Sequence, residues 1–85
     1  MQEDLRKAER LARTVVADFF LYNQDKIDKA LKEDTLFELL GGELEDSEKF
    51  YNSNVNAAIR KSSNYFWDTL FNRLMKREAQ LFDIV

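Results

Sequence analysis

The 85-residue sequence contains no histidine, no cysteine and no proline, and only two glycines. Without His and Cys, the usual metal ligands, general bases and thiol nucleophiles are missing. Without Cys there is no disulfide, and without Pro nothing fixes a kink, so long helices are permitted almost throughout. No apolar run approaches the roughly 20 residues of a membrane span. The longest candidate, residues 14–22, is interrupted by Asp18. Met1 is followed by Gln-Glu-Asp rather than by a basic and then an apolar stretch. No secretory leader is therefore expected, and a cytoplasmic location is.

What is present is aromatic and charged. Seven Phe, three Tyr and one Trp accompany a hydrophobic fraction of 45% and a charged fraction of 34%, the balance of a folded globular chain. At this length a single domain, residues 1–85, is expected, and such a domain buries only about 60–65% of its unfolded surface. Cys-based staples being excluded, oligomerisation is the natural further support. The net charge of −3 is unevenly spread. Residues 1–22 carry four basic and four acidic groups, residues 23–54 four and nine, and residues 55–85 five and three. An acidic middle and a basic end suit packing within one bundle or against an antiparallel partner. An acidic chain also lacks the electrostatic footprint that nucleic-acid binding normally needs.

Helical periodicity dominates. Leu5, Ala8, Leu11, Ala12, Val15, Val16, Phe19, Phe20 and Tyr22 predict a helix over residues 2–22 with an apolar arc of about 180°. Asn23 and Asp25 offer capping oxygens for a short second helix over residues 25–33. Thr35 with Glu38 three positions on reads as a capping box, predicting a helix from about Leu36. Gly41-Gly42 is its weak point, at about 1 kcal/mol per Gly relative to Ala. The period resumes beyond the pair with no turn-length insertion, which favours one continuous helix. The cluster Ser53-Asn54-Val55-Asn56 marks the next boundary. A final helix is predicted over residues 55–82, with Ile59, Phe66, Leu70, Leu74 and Leu81 as its core stripe and Trp67, Phe71, Met75 and Phe82 widening it. The fold class this predicts is all-α: a small antiparallel bundle of three main helices plus one short helix.

Catalytic chemistry finds little support. Carboxylates remain, in the cluster Glu43, Glu45, Asp46 and Glu48 among others, but a domain this small has little room for a cleft between two of them. Carboxylate di-metal bundles use Glu-x-x-His pairs, calcium loops use Asp-x-Asp-x-Asp-Gly, and neither pattern occurs. Ser62 and Ser63 have no His to activate them. Gly41-Gly42 is not followed by the Gly-Lys-Ser/Thr of a phosphate loop. The chain is read as non-enzymatic, with no cofactor and no metal.

Two groups of residues remain as candidate sites. Two helices with wide apolar arcs exceed what a three-helix monomer hides, so Phe20, Tyr22, Tyr65, Trp67 and Phe71 are candidates for an interface with a second copy or another protein. Large aromatics anchor interfaces because they bury much area at low entropic cost. Arg73, Lys76 and Arg77 form a candidate basic patch; Arg6, Lys7, Arg10 and Arg13 form another basic run near the start. Dipole compensation and solubility also explain the C-terminal group. An apolar pocket for a small molecule between helices is the third option.

The segment Leu11-Ala12-Arg13-Thr14-Val15-Val16-Ala17-Asp18, followed by Leu21-Tyr22-Asn23, resembles a segment of bacterial helical domains of unassigned activity, notably deltaproteobacterial ones. The likeness extends through Lys26, Leu36 and Tyr51 to Val55, over residues 8–70. Asn54 departs from that pattern, which has Arg just before the Val. In those proteins the helical region often follows a zinc ribbon or another regulatory module; this chain has no Cys for such a ribbon. The resemblance implies an accessory helical domain of a bacterial regulatory protein. The same residues also have a folding explanation, with Asp18 beside Tyr22 one helical turn away and Asn23 capping the next helix.

The reading that follows is a non-catalytic, self-associating helical interaction module, a homodimer in a bacterial regulatory or scaffolding protein. The alternative is an accessory domain of a nucleic-acid-binding or transcriptional regulator.

Overall fold

A computed structural model describes residues 2–82, which form five helices and no strand. They are α1 (Gln2–Tyr22), α2 (Gln24–Glu33), α3 (Leu36–Ser53), α4 (Ala57–Ser62) and α5 (Tyr65–Leu81). No helix among these residues is long and apolar enough to cross a membrane. The all-α class and the first three helices match the periodicity, and α3 does run unbroken through Gly41-Gly42.

The predicted last helix is two helices. Ser63 takes an extended conformation (φ −150°, ψ 157°), and the Oγ atoms of Ser62 and Ser63 donate to the Ile59 carbonyl at 3.2 and 2.8 Å. These hydroxyls compete for the carbonyl that the next turn of helix would use, and the chain breaks there. Val55 and Asn56 lie outside α4, whose start Asn56 caps by accepting from the Ala58 amide at 2.8 Å. The capping box does not form. Thr35 makes no side-chain cap bond, and its Oγ1 is buried without a partner among the described residues. Nor does Asn23 cap α2; its Nδ2 donates backwards to the Phe19 carbonyl at 2.9 Å, closing the end of α1. Asp34 ends α2 in the left-handed region (φ 57°), a conformation that Asp tolerates better than most residues.

Packing is organised around α1, which touches both α3 and α5, while α2 extends the contact to the same two helices. Only Asn23 separates α1 from α2, so the pair makes a bent rod. The chain returns along it as α3, crosses by α4, which rests on α1, and runs back as α5. The sense of α5 follows from its contacts: Arg73 meets Phe20 and Arg77 meets Asp28, both advancing along the rod. The core combines Ala8, Ala12, Val15, Val16, Phe19 and Phe20 of α1 with Ile27 and Ala30, Leu40, Leu44 and Tyr51, and Ile59, Phe66, Leu70 and Leu74. The assembly is a slab of 40 × 29 × 19 Å, only about two helix diameters thick, so each helix keeps a wide outer surface.

Two stability outcomes are expected. A Cβ built at Gly41 or Gly42 meets nothing within 4 Å, and neither glycine has positive φ. Gly41→Ala and Gly42→Ala should each stabilise the chain by about 0.5–1 kcal/mol in urea unfolding, the helix-propensity difference. The Tyr51 hydroxyl is buried with no partner among the described residues, and burial, followed by the neighbouring Tyr65, pushes its pKa up. Tyr51→Phe should raise unfolding free energy by about 1 kcal/mol, because it removes an unsatisfied polar atom and keeps the ring. A loss on that substitution would reveal a partner for the hydroxyl.

Candidate functional site

Helix α5 presents three different surfaces, set by residue spacing at about 100° per residue. Phe66, Leu70 and Leu74 face the core and are buried. On one flank lie Trp67, Phe71, Met75 and Phe82, and on the other Thr69, Asn72, Arg73, Lys76 and Gln80.

The first flank is apolar and open. Phe71 is 45% exposed, Met75 67% and Phe82 47%, with Trp67 half-buried above them. Trp67 and Phe71 stack, ring centroids 5.7 Å apart and planes 24° from parallel. Trp67 meets Phe66 edge-on at 5.1 Å, and Phe66 meets Tyr51 at 5.7 Å. Rings thus pass in contact from the α3 core to the α5 surface, so the outermost pair is held by packing rather than left to rotate. The stripe stays uncovered because α3 and α5 both lean on the α1–α2 rod and barely touch each other away from Tyr51 and Phe66.

The five aromatic candidates separate. Trp67 and Phe71 come together on the stripe. Phe20 is buried at 8% exposure and belongs to the core, because α5 closes over it. Tyr22 is 80% exposed at the end of α1, outside the core. Tyr65 is half-buried beside Tyr51 and Arg60 at the α3–α5 corner. Met75 and Phe82, assigned by spacing to the core, complete the stripe instead. Their signal lay in the wheel: the buried stripe occupies less of the circumference than the full apolar arc.

The second flank forms the wall of a groove of about 710 Å³ against α1 and α2. Arg77 spans it with a two-pronged ion pair: Nε donates to Asp28 Oδ1 at 2.8 Å and Nη2 to Asp28 Oδ2 at 2.7 Å. The Arg77 hydrogen bond holds the Asp28 carboxyl below its ordinary range and raises the guanidinium in turn. Arg13, at the other end, pairs with Glu9. Arg73 sits over the Phe20 ring, its guanidinium carbon 5.2 Å from the centroid, and Lys76 follows three residues on. Of the predicted basic patch, Arg77 is therefore engaged in tying α5 to α2, while Arg73 and Lys76 have no carboxylate partner among the described residues.

Comparison with protein-family models, with curated proteins and with solved structures gives no match. The functional reading therefore rests on the residues themselves. Within the Leu11–Asn23 segment, the contacts of Arg13 with Glu9 and of Asn23 with Phe19 supply a folding reason for both side chains.

The Asp28–Arg77 pair carries a pH dependence of defined sign. A carboxyl whose folded pKa is depressed contributes stability above its unfolded pKa, and that contribution is lost as pH falls through the folded pKa. Asp28→Asn is expected to lower the urea midpoint at pH 7, with the gap from wild type closing below the ordinary carboxylate range. An equal gap at pH 7 and pH 2.5 would mean that the pair adds nothing electrostatic.

Proposed function

We propose that the chain is a non-catalytic interaction module that pairs with a second copy of itself through the α5 stripe, as an accessory part of a bacterial regulatory or scaffolding protein. The observation that carries this reading is the line of exposed Phe71, Met75 and Phe82, continued by half-buried Trp67, beside a core face of α5 that is already buried. Contiguous exposed apolar surface on a small folded chain marks an interaction site. The bacterial regulatory setting comes from the Leu11–Asn23 resemblance alone.

Spacing favours a second copy over an unrelated helix. Trp67 and Met75 lie four residues to either side of Phe71. A twofold axis through Phe71 sets two antiparallel α5 helices so that Trp67 of each faces Met75 of the partner subunit, the reciprocal matching an isologous interface requires. Thioether against an aromatic ring is a favourable and adaptable contact. The stripe side chains themselves are uncharged, with Asp68 and Glu78 at their edges, so the pairing is expected to rest on apolar contact that high salt does not weaken.

Sedimentation equilibrium over a hundredfold concentration range tests the reading on wild type, Met75→Glu and Trp67→Ala. The expected result is a monomer–dimer equilibrium, not weakened by high salt, that Met75→Glu shifts to monomer with helicity and thermal midpoint retained. Trp67→Ala should weaken the dimer as well, with some loss of stability because Trp67 is half-buried. A wild-type monomer at every concentration, or a dimer indifferent to Met75→Glu, refutes self-pairing through this stripe.

A further inference from the structure

The groove between the α1–α2 rod and α5 holds an excess of positive charge. Four cations line it: Arg13, Arg73, Lys76 and Arg77. Glu9 answers Arg13 and Asp28 answers Arg77, which accounts for both carboxylates of the groove. Arg73 and Lys76, in its middle, are left without a counter-charge in a chain whose net charge is −3. Their neighbours one helical turn away are Thr69, Leu70, Asn72, Arg77, Ala79 and Gln80, none of them acidic. The two acids of α5, Asp68 and Glu78, fall on the other side of the helix. Like charges three and four residues apart weaken a helix, and Arg73 has Lys76 and Arg77 at those two spacings.

The donors are of a particular kind. Arg73 lies against the Phe20 ring, a contact that positions its guanidinium while leaving its N–H groups without a hydrogen-bond acceptor among the described residues. Such a planar fork suits two oxygens of one anion, and Lys76 adds a point charge. Thr69, Asn72 and Gln24 bring neutral donors to the same groove. A carboxylate would leave one of the two cations unanswered; a doubly charged group with three acceptor oxygens answers both.

We infer that this groove binds a phosphate dianion carried on a small organic molecule, with Arg73 and Lys76 as its principal ligands. The groove, at about 710 Å³, is far larger than one phosphate group requires, so the organic part lies along the rod beside Gln24. The site occupies the flank of α5 opposite the apolar stripe, and it stands whether or not the stripe pairs two copies.

Amide chemical-shift titration of the full chain at constant ionic strength provides the test, with inorganic phosphate and adenosine monophosphate as probes against chloride. The expected result is saturable shifts confined to residues near Gln24 and residues 69–80. Tighter binding of the nucleotide, by about tenfold, identifies an organic phosphate as the occupant; equal affinities identify free phosphate at the same dianion site. Arg73→Gln and Lys76→Gln should each weaken binding by about tenfold or more, whereas Arg6→Gln on the outer face of α1 leaves it unchanged. Circular dichroism checks that each variant folds, and Lys76→Gln, which disturbs no contact, keeps the test valid if Arg73→Gln loosens Phe20. Diffuse shifts that salt abolishes, or binding that Arg6→Gln weakens as much as Lys76→Gln does, overturn the inference. A single-stranded oligonucleotide whose affinity grows with length and depends on Arg6, Lys7 and Arg10 overturns it too, in favour of a nucleic-acid surface.

Discussion

Everything in this fold depends on the two-sided burial of α1. With no disulfide, no Cys- or His-based metal site and no proline-fixed turn, the chain is held by apolar packing, and α1 with its extension α2 is the surface that both α3 and α5 share. Small residues make that sharing possible. Ala12 and Ala30 are completely buried and Ala8 nearly so, which lets neighbouring helices approach closely at those turns. The longer side chains around them, Val16, Ile27, Leu40 and Leu70, fill the space between the helices and are themselves almost fully buried. The arrangement has a geometric consequence. Two helices that each lean on a common rod need not cover one another, and α5 is left with a flank on either side of its core face.

Elements set by period were legible in the sequence, and elements set by local hydrogen bonding were not. The apolar spacing of α1 and the resumption of period after Gly42 placed those helices within a residue of where they lie. The break at Ser63 leaves no mark in that spacing, because Ile59, Phe66, Leu70 and Leu74 read as one continuous stripe across it. Hydroxyls at two consecutive positions, both within reach of one carbonyl, decided the matter. Thr35 and Asn23 show the opposite failure. Each has the chemistry of an N-cap, but a cap needs the side-chain oxygen aimed at the first turn, and here Asn23 turns its amide back to α1 while Thr35 is enclosed by packing.

The candidate sites divide along the same line. Which residues of α5 are apolar was plain; which of them a neighbour would cover was not, because coverage depends on where α3 stops approaching α5. Phe20 and Phe71 are equally apolar in sequence, yet one is closed over by Arg73 and the other is left open. For the basic residues, sequence gave three cations on one helix end with no means of ranking them. The partner that separates Arg77 from Arg73 and Lys76 is Asp28, 49 positions away from Arg77, a pairing that only the fold creates.

The two flanks of α5 contribute less to holding the helix than its core face does, and this bears on how they are to be understood. Phe66, Leu70 and Leu74 anchor α5 through its core face, with Trp67 and the Arg77–Asp28 pair adding contacts at its edges. Exposing Met75 and Phe82 therefore adds nothing to folding, and polar residues there would leave the core unchanged. The cluster of Arg73, Lys76 and Arg77 goes further, since uncompensated like charges oppose the helix in which they sit, and Asp28 relieves only one of the three. Glu45 one turn from Lys49 on α3 and Glu9 one turn from Arg13 on α1 show the compensated arrangement, which Lys76 lacks, as does Arg10 among Arg6, Lys7 and Arg13. Sites where local preference and global fold part are where function is ordinarily found. By that criterion the cationic groove is the stronger departure and the apolar stripe the milder one, so the surface of α5 is better explained by what it meets outside the chain than by what it holds within it.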